Sequence, residues 1–137
     1  MRKRTLAREY ALQLLYQIDI THEGYDAALN NFWQAHSEEN VGEEIKNFTN
    51  ELVKGTLENL EAIDARIVQH ATNWQLKRMA AVDRNILRLA SFELMFRDDI
   101  PSKVSINEAI ELAKKYSGQE ASKFVNGILD KIKPQEG

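Results

Sequence analysis

Apolar residues recur along most of this chain at three- and four-residue intervals, the period of an α-helix with one face turned to a core. Ala7, Ala11, Leu14, Leu15 and Ile18 mark a first helix over about residues 5–20, and Gly24 marks the turn after it. A second helix, about residues 25–35, offers Ala28, Leu29, Phe32 and Trp33 for burial before residues 40–42 break it. A third presents Ile45, Phe48, Leu52, Val53 and Leu57, with Gly55 near its end, and a fourth, about residues 60–71, presents Ile63, Ile67 and Val68. The fifth, about residues 76–96, is apolar on two faces: Met79, Val82, Ile86 and Leu89 on one, Leu87, Ala90 and Leu94 on another. A helix with two apolar faces must be packed on both, which puts this one at the centre of the fold.

Residues 97–101 read as a loop, because Pro101 disfavours helix at Ile100. Ser105 and Glu108 have capping-box spacing, so a sixth helix is expected to start there and to stop after Tyr116 at Ser117-Gly118. The last helix begins near Glu120 and ends before Pro134, burying Val125, Ile128, Leu129 and Ile132. Gly127 sits inside it, so either another helix packs closely there or a ligand approaches the backbone. No strand alternation and no repeat is present. The expectation is an all-α fold of about seven helices forming one domain over residues 1–137.

Composition narrows function mainly by exclusion. A chain of 137 residues, 43% hydrophobic and 28% charged, suits one globular domain with a substantial core. Zero cysteines exclude disulfides, thiol nucleophiles and cysteine-ligated metal sites. No apolar run approaches the roughly 20 residues needed to span a bilayer, and the basic N-terminus lacks a signal-peptide core. A cytoplasmic protein is expected. There is no glycine-rich phosphate loop, no His-Glu-x-x-His pair and no Gly-x-Ser-x-Gly elbow. His22, His36 and His70 show no ligand spacing, and the pairs Glu38-Glu39, Glu43-Glu44 and Asp98-Asp99 suit helix starts or loops. No catalytic residue, metal site or cofactor is expected, and the chain reads as a non-enzyme.

Charge distribution changes that picture more than net charge does. The total is −3, but Arg2, Lys3, Arg4 and Arg8 give residues 1–8 a local +4, leaving −7 on the other 129. A basic arm on an acidic body can still bind RNA, because phosphates respond to local potential. Arg4 and Arg8 are one helical turn apart and share a face, able to grip one backbone segment.

Ala7-Arg8-Glu9-Tyr10-Ala11, Val82-Asp83-Arg84 through Glu93-Leu94, and Lys123-Phe124-Val125-Asn126-Gly127-Ile128-Leu129-Asp130 resemble stretches of the NusB family of bacterial antitermination factors. The first looks like the family's arginine-rich first helix. The other two are similar to its most specific signatures. The resemblance covers nearly the whole chain, although residues 25–72 match only in helical character. It implies two small helical bundles packed at an angle, here residues 1–58 and 59–137. It also implies binding of single-stranded boxA RNA, in nascent ribosomal leader or phage transcripts, together with the ribosomal protein NusE. The pair then joins NusA and NusG on RNA polymerase and suppresses termination.

By the same resemblance, Arg2, Lys3, Arg4 and Arg8 contact RNA, and Lys123 and Phe124 form a second contact. Glu120 falls where an acid tunes affinity. Phe124 has two readings: stacking on a base, or completing the apolar stripe through Ile128 and Ile132. Thr5 and Leu6 replace arginines found in some members. Tyr16, Asp83 and Arg88 match positions that hold NusE, while Asp83 and Arg88 also suit buried ion pairs that orient the central helix.

Two other readings remain beside this one. A NusB-like domain precedes the catalytic domain of some RNA cytosine methyltransferases, for which this chain is expected to leave no room. A purely dimerising helical module would instead use Trp33, Trp74 and Phe96, and a homodimer is possible within the family itself.

Overall fold

The computed structural model describes residues 2–71 and 75–134. Among these residues lie seven α-helices, two short 3-10 turns and no strand. Helix α1 spans Lys3–Thr21, α2 Tyr25–Ala35, α3 Glu43–Glu58, α4 Leu60–His70, α5 Ala81–Phe96, α6 Ser102–Tyr116 and α7 Gln119–Ile132. The 3-10 turns are Ser37–Glu39 and Leu76–Arg78. The all-α expectation holds.

Helix α5 is the hub, packing against α1, α3, α4, α6 and α7. Its two apolar faces account for this: Ile86 and Leu87 are both fully buried although they point in different directions around the helix. Leu14 of α1, Leu52 of α3, Ile63 of α4 and Leu129 of α7 are equally inaccessible and complete the core around it. Cutting any of these to alanine costs about 2–5 kcal/mol.

Three helix starts differ from the sequence reading, each for a physical reason. Helix α1 begins at Lys3, not near residue 5, so Lys3 and Arg4 belong to its first turn. No acid lies in that turn and Arg2 makes no side-chain cap. Cations at the positive end of the helix dipole oppose it by about 0.3–1 kcal/mol each, so other elements must hold this start.

Helix α5 begins at Ala81, five residues after the expected Leu76, because Met79 and Ala80 are extended (ψ 150° and 137°). Arg84 donates to the carbonyls of Leu76 and Met79 (3.2 and 3.3 Å), serving oxygens that helical amides would otherwise bond. Helix α6 begins at Ser102, one turn early. Ser105 therefore lies inside the helix, and its hydroxyl donates to Glu93 (2.8 Å) instead of forming a capping box with Glu108.

The glycines divide by use. Gly118 follows α6 with φ 127°, a conformation open to glycine and rarely to other residues, and its amide donates to the Ala113 carbonyl (2.8 Å). Gly55 sits within α3 directly against the buried Phe92 ring of α5, where a Cβ has no room. Gly127 is exposed with open space around it, so the expectation of a closely packed helix there is corrected.

Gly55→Ala is expected to destabilise the protein by about 1–3 kcal/mol, despite alanine's better helix propensity, because the ring must move. A urea melt showing equal or greater stability would contradict the close α3–α5 approach.

Candidate RNA and partner interface

Helix α1 carries two surfaces. Arg2, Lys3 and Arg4 are exposed at its start. Lys3 pairs with Glu44 of α3 at 3.0 Å, both side chains well solvated, and the Arg4 guanidinium lies 4.3 Å from the centre of the Phe48 ring. Phe48 is itself buried, and the guanidinium carbons of Arg8 and Arg97 approach the same ring at 5.5 and 5.6 Å. Such cation–π contacts hold a guanidinium plane in place while leaving its outer N–H groups free.

Arg8 is a correction. It shares the expected face with Arg4, yet it is only 3% exposed and forms a fork on Glu93: Nε donates at 2.9 Å and Nη2 at 2.8 Å. Its Nη1 lies 3.5 Å from Glu108, which also accepts the Thr5 hydroxyl at 2.7 Å. Glu93 is 1% exposed and accepts the Ser105 hydroxyl as well. In this conformation Arg8 joins α1 to α5 and α6 and offers no N–H to solvent-borne phosphate. Its spacing from Arg4 revealed a shared face. That this face turns inward one turn along was not legible without the position of α5.

Arg97, which sequence reasoning passed over, does line the cationic end. It forms a fork with Asp99 (2.9 Å twice) and reaches Glu51 at 3.1 Å. The Arg97 hydrogen bonds, outweighing desolvation and helped by the charges of Arg97 and Arg4, hold the Asp99 carboxyl at about 2.

The α7 residues stand on a different part of the surface. Glu120 and Lys123 are exposed and 3.8 Å apart, while Phe124 is partly buried and packed against the core. That packing is what the apolar-stripe reading of Phe124 expects. Helix α6 links the two regions, since Glu108 meets Thr5 and Arg8 while Tyr116 leads through Ser117-Gly118 into α7.

The second surface of α1 is an apolar groove of about 440 Å³, lined by Leu12, Tyr16, Ile20, Val82 and Tyr116 among others. Tyr16 is 41% exposed and Ile20 54%. Tyr116 was missed in the sequence, where it looked like a helix end. Its hydroxyl donates to Glu9 at 2.6 Å, and Lys115 binds the same oxygen. Burial pushes the Glu9 carboxyl up, but the hydrogen bonds from Lys115 and Tyr116 bring it net below its ordinary value.

Asp83 is half-buried in the first turn of α5, and its Oδ1 is closed off from solvent with no hydrogen-bond partner among the described residues. Arg88 does what the ion-pair reading expected: it forms a fork on Asp64 of α4 (2.8 and 2.9 Å) and lies 3.4 Å from Asp19 of α1. Arg84 completes this cluster with two bonds to Asp19, 2.9 and 2.7 Å. Burial opposes ionisation of Asp19, yet Arg84, Asn85 and Arg88 outweigh it and lower its carboxyl.

Of the residues suggested for a dimerising module, Trp33 is half-buried with its indole N–H on Asn50 (3.0 Å), and Phe96 is 43% exposed. Trp74 lies outside the described residues. Among the described residues no cluster of metal-binding side chains occurs, and no helix is long and apolar enough to cross a membrane.

The model of the NusB family matches residues 5–134. The chain belongs to the NusB family. The transcription antitermination protein NusB of Anaeromyxobacter dehalogenans is 54% identical over 130 residues, covering 95% of this chain and 89% of its own length. That of Thermodesulfovibrio yellowstonii is 42% identical over 142 residues, covering 98% and 93%. Among solved structures, T. maritima NusB superposes with a TM-score of 0.85 at 38% identity, covering 94% of this chain and 89% of that one. A chain from a complex of the antitermination factors NusB and NusE with double-stranded RNA gives 0.84 at 32% identity, covering 96% of each.

Two outcomes follow from the geometry of this NusB-family chain. Arg8→Met is expected to cost about 3–5 kcal/mol in a urea melt, since it strands a buried Glu93 charge; a change under 1 kcal/mol would mean Arg8 is a surface cation. Asp19 and Glu9 have folded-state values below their unfolded ones, so their stabilisation is complete above the ordinary carboxylate range and is lost as pH falls from that range through the lowered folded-state values. The melting temperature should therefore fall as pH drops below about 4, and Asp19→Asn should flatten the decline.

Proposed function

We propose that this chain is a transcription antitermination factor that binds single-stranded boxA RNA jointly with NusE. The observation that carries the reading is membership of the NusB family at high coverage, together with a solved NusB–NusE–RNA complex of the same fold. The transcripts are nascent ribosomal leaders or phage RNAs, and the assembled pair joins NusA, NusG and RNA polymerase to suppress termination. It acts by binding, without a cofactor, and in the cytoplasm.

Physical chemistry assigns roles to the residues. Arg2, Lys3 and Arg4 are the phosphate contacts, solvated and at the positive end of α1. Lys123 supplies charge and the outward part of Phe124 supplies a stacking edge, with Glu120 moderating the affinity of that second contact. Tyr16 anchors NusE in the groove, and half-buried Asp83, next in sequence to the groove residue Val82, contributes to the same contact. Arg88 acts from behind, fixing α5 against α1 and α4.

The test is a titration with a short boxA RNA, with and without NusE, at two salt concentrations. Arg4→Ala should weaken binding and reduce the salt slope by roughly one, the signature of one lost phosphate contact. An unchanged slope removes the arm from the binding surface. Tyr16→Ala should lose NusE affinity and keep its melting temperature, whereas a lost fold would make the tyrosine a core residue. Self-association that blocks RNA binding would instead favour a dimerising module.

A further inference from the structure

The first turn of α1 has every local reason to fray. It carries Lys3 and Arg4 at the positive end of the helix, holds no acid and has no side-chain cap. Yet its residues are where a phosphate-binding arm needs a fixed geometry. The missing acid comes from another element. Glu108, on the second turn of α6, accepts the Thr5 hydroxyl at 2.7 Å and faces Arg8 at 3.5 Å, with its own side chain only 19% exposed. The neighbouring pair Lys3–Glu44 is far more exposed, 68% and 72%, and water competes with it freely.

We propose that Glu108 is a positioning residue for RNA binding: it clasps the start of α1 from α6 and keeps Arg2, Lys3 and Arg4 in their helical register. This rests on the arm being the phosphate contact. The consequence runs against simple electrostatics. Glu108 is negative and lies one turn from the cationic arm, so neutralising it should strengthen RNA binding if charge alone matters. If its task is to hold the arm, neutralising it weakens RNA binding, because the cations must then be ordered at the moment of binding.

Glu108→Gln and Thr5→Val in the full chain separate these cases, and Thr5→Val removes the Thr5–Glu108 hydrogen bond without altering charge. Amide hydrogen exchange over residues 6–8, the first amides of α1 with helical acceptors, should accelerate in both variants, while exchange within α4 and α5 stays unchanged. Affinity for a short single-stranded RNA should fall about threefold to tenfold, in proportion to a part-buried charge-assisted bond, with the salt slope unaltered. Tighter or unchanged RNA binding by Glu108→Gln, or undisturbed exchange at the helix start in both variants, overturns the proposal. A wild-type chain with no RNA affinity fails the functional reading instead, while the exchange result still decides whether Glu108 holds the helix start.

Discussion

The buried fork between Arg8 and Glu93 is the interaction on which the arrangement of this molecule depends. Both side chains are almost inaccessible, and both belong to helices whose apolar faces build the core. A buried ion pair adds little net stability by itself, since desolvation offsets most of the attraction. Its demand is geometric: neither charge tolerates being left alone, so α1 must seat at one height on α5. Ser105 fills one remaining acceptor position on Glu93, and Glu108 sits beside the outer nitrogen of Arg8. With α1 fixed in this way, its first turn projects as a cationic end and its later turns form one wall of the apolar groove.

The same logic recurs farther along α1. Asp19 receives Arg84 and Asn85 and lies near Arg88, which itself forks on Asp64 of α4. One helix is thus tied at both ends to the central helix by guanidinium–carboxylate geometry. Between those ties, Glu9 holds Tyr116 and Lys115 of α6. The groove is therefore bounded by residues locked through polar bonds, and its apolar lining of Tyr16, Ile20 and Val82 is left uncovered. A binding surface that is rigid before its partner arrives has less ordering entropy to lose on association.

The sequence made the helices legible because the 3.6-residue apolar period persists wherever one face is buried, and two-sided burial of α5 was visible in its doubled stripe. What it hid were effects set by side chains from distant elements. Nothing near Met79 signals a break; the break is stabilised by Arg84 reaching back to two carbonyls. Ser105 and Glu108 have the spacing of a capping box, but each has a better partner across the core, Glu93 and Thr5. Among the candidate site residues, exposure separated those that one-dimensional spacing had grouped. Arg4 remained outside, Arg8 went inside, and Arg88 became a clamp. Arg97 and Tyr116 joined the surfaces without any local motif, and only neighbours such as Phe48 and Glu9 reveal them.

The most direct test of this division of labour is to replace the buried pair together, Arg8→Met with Glu93→Leu, and measure stability and the salt dependence of RNA binding on the same protein. If Arg8 serves only to seat α1, the double variant recovers most of the stability lost by Arg8→Met alone and keeps the wild-type salt slope. A recovered fold whose slope falls by about one would show that Arg8 itself meets a phosphate, and would contradict the account.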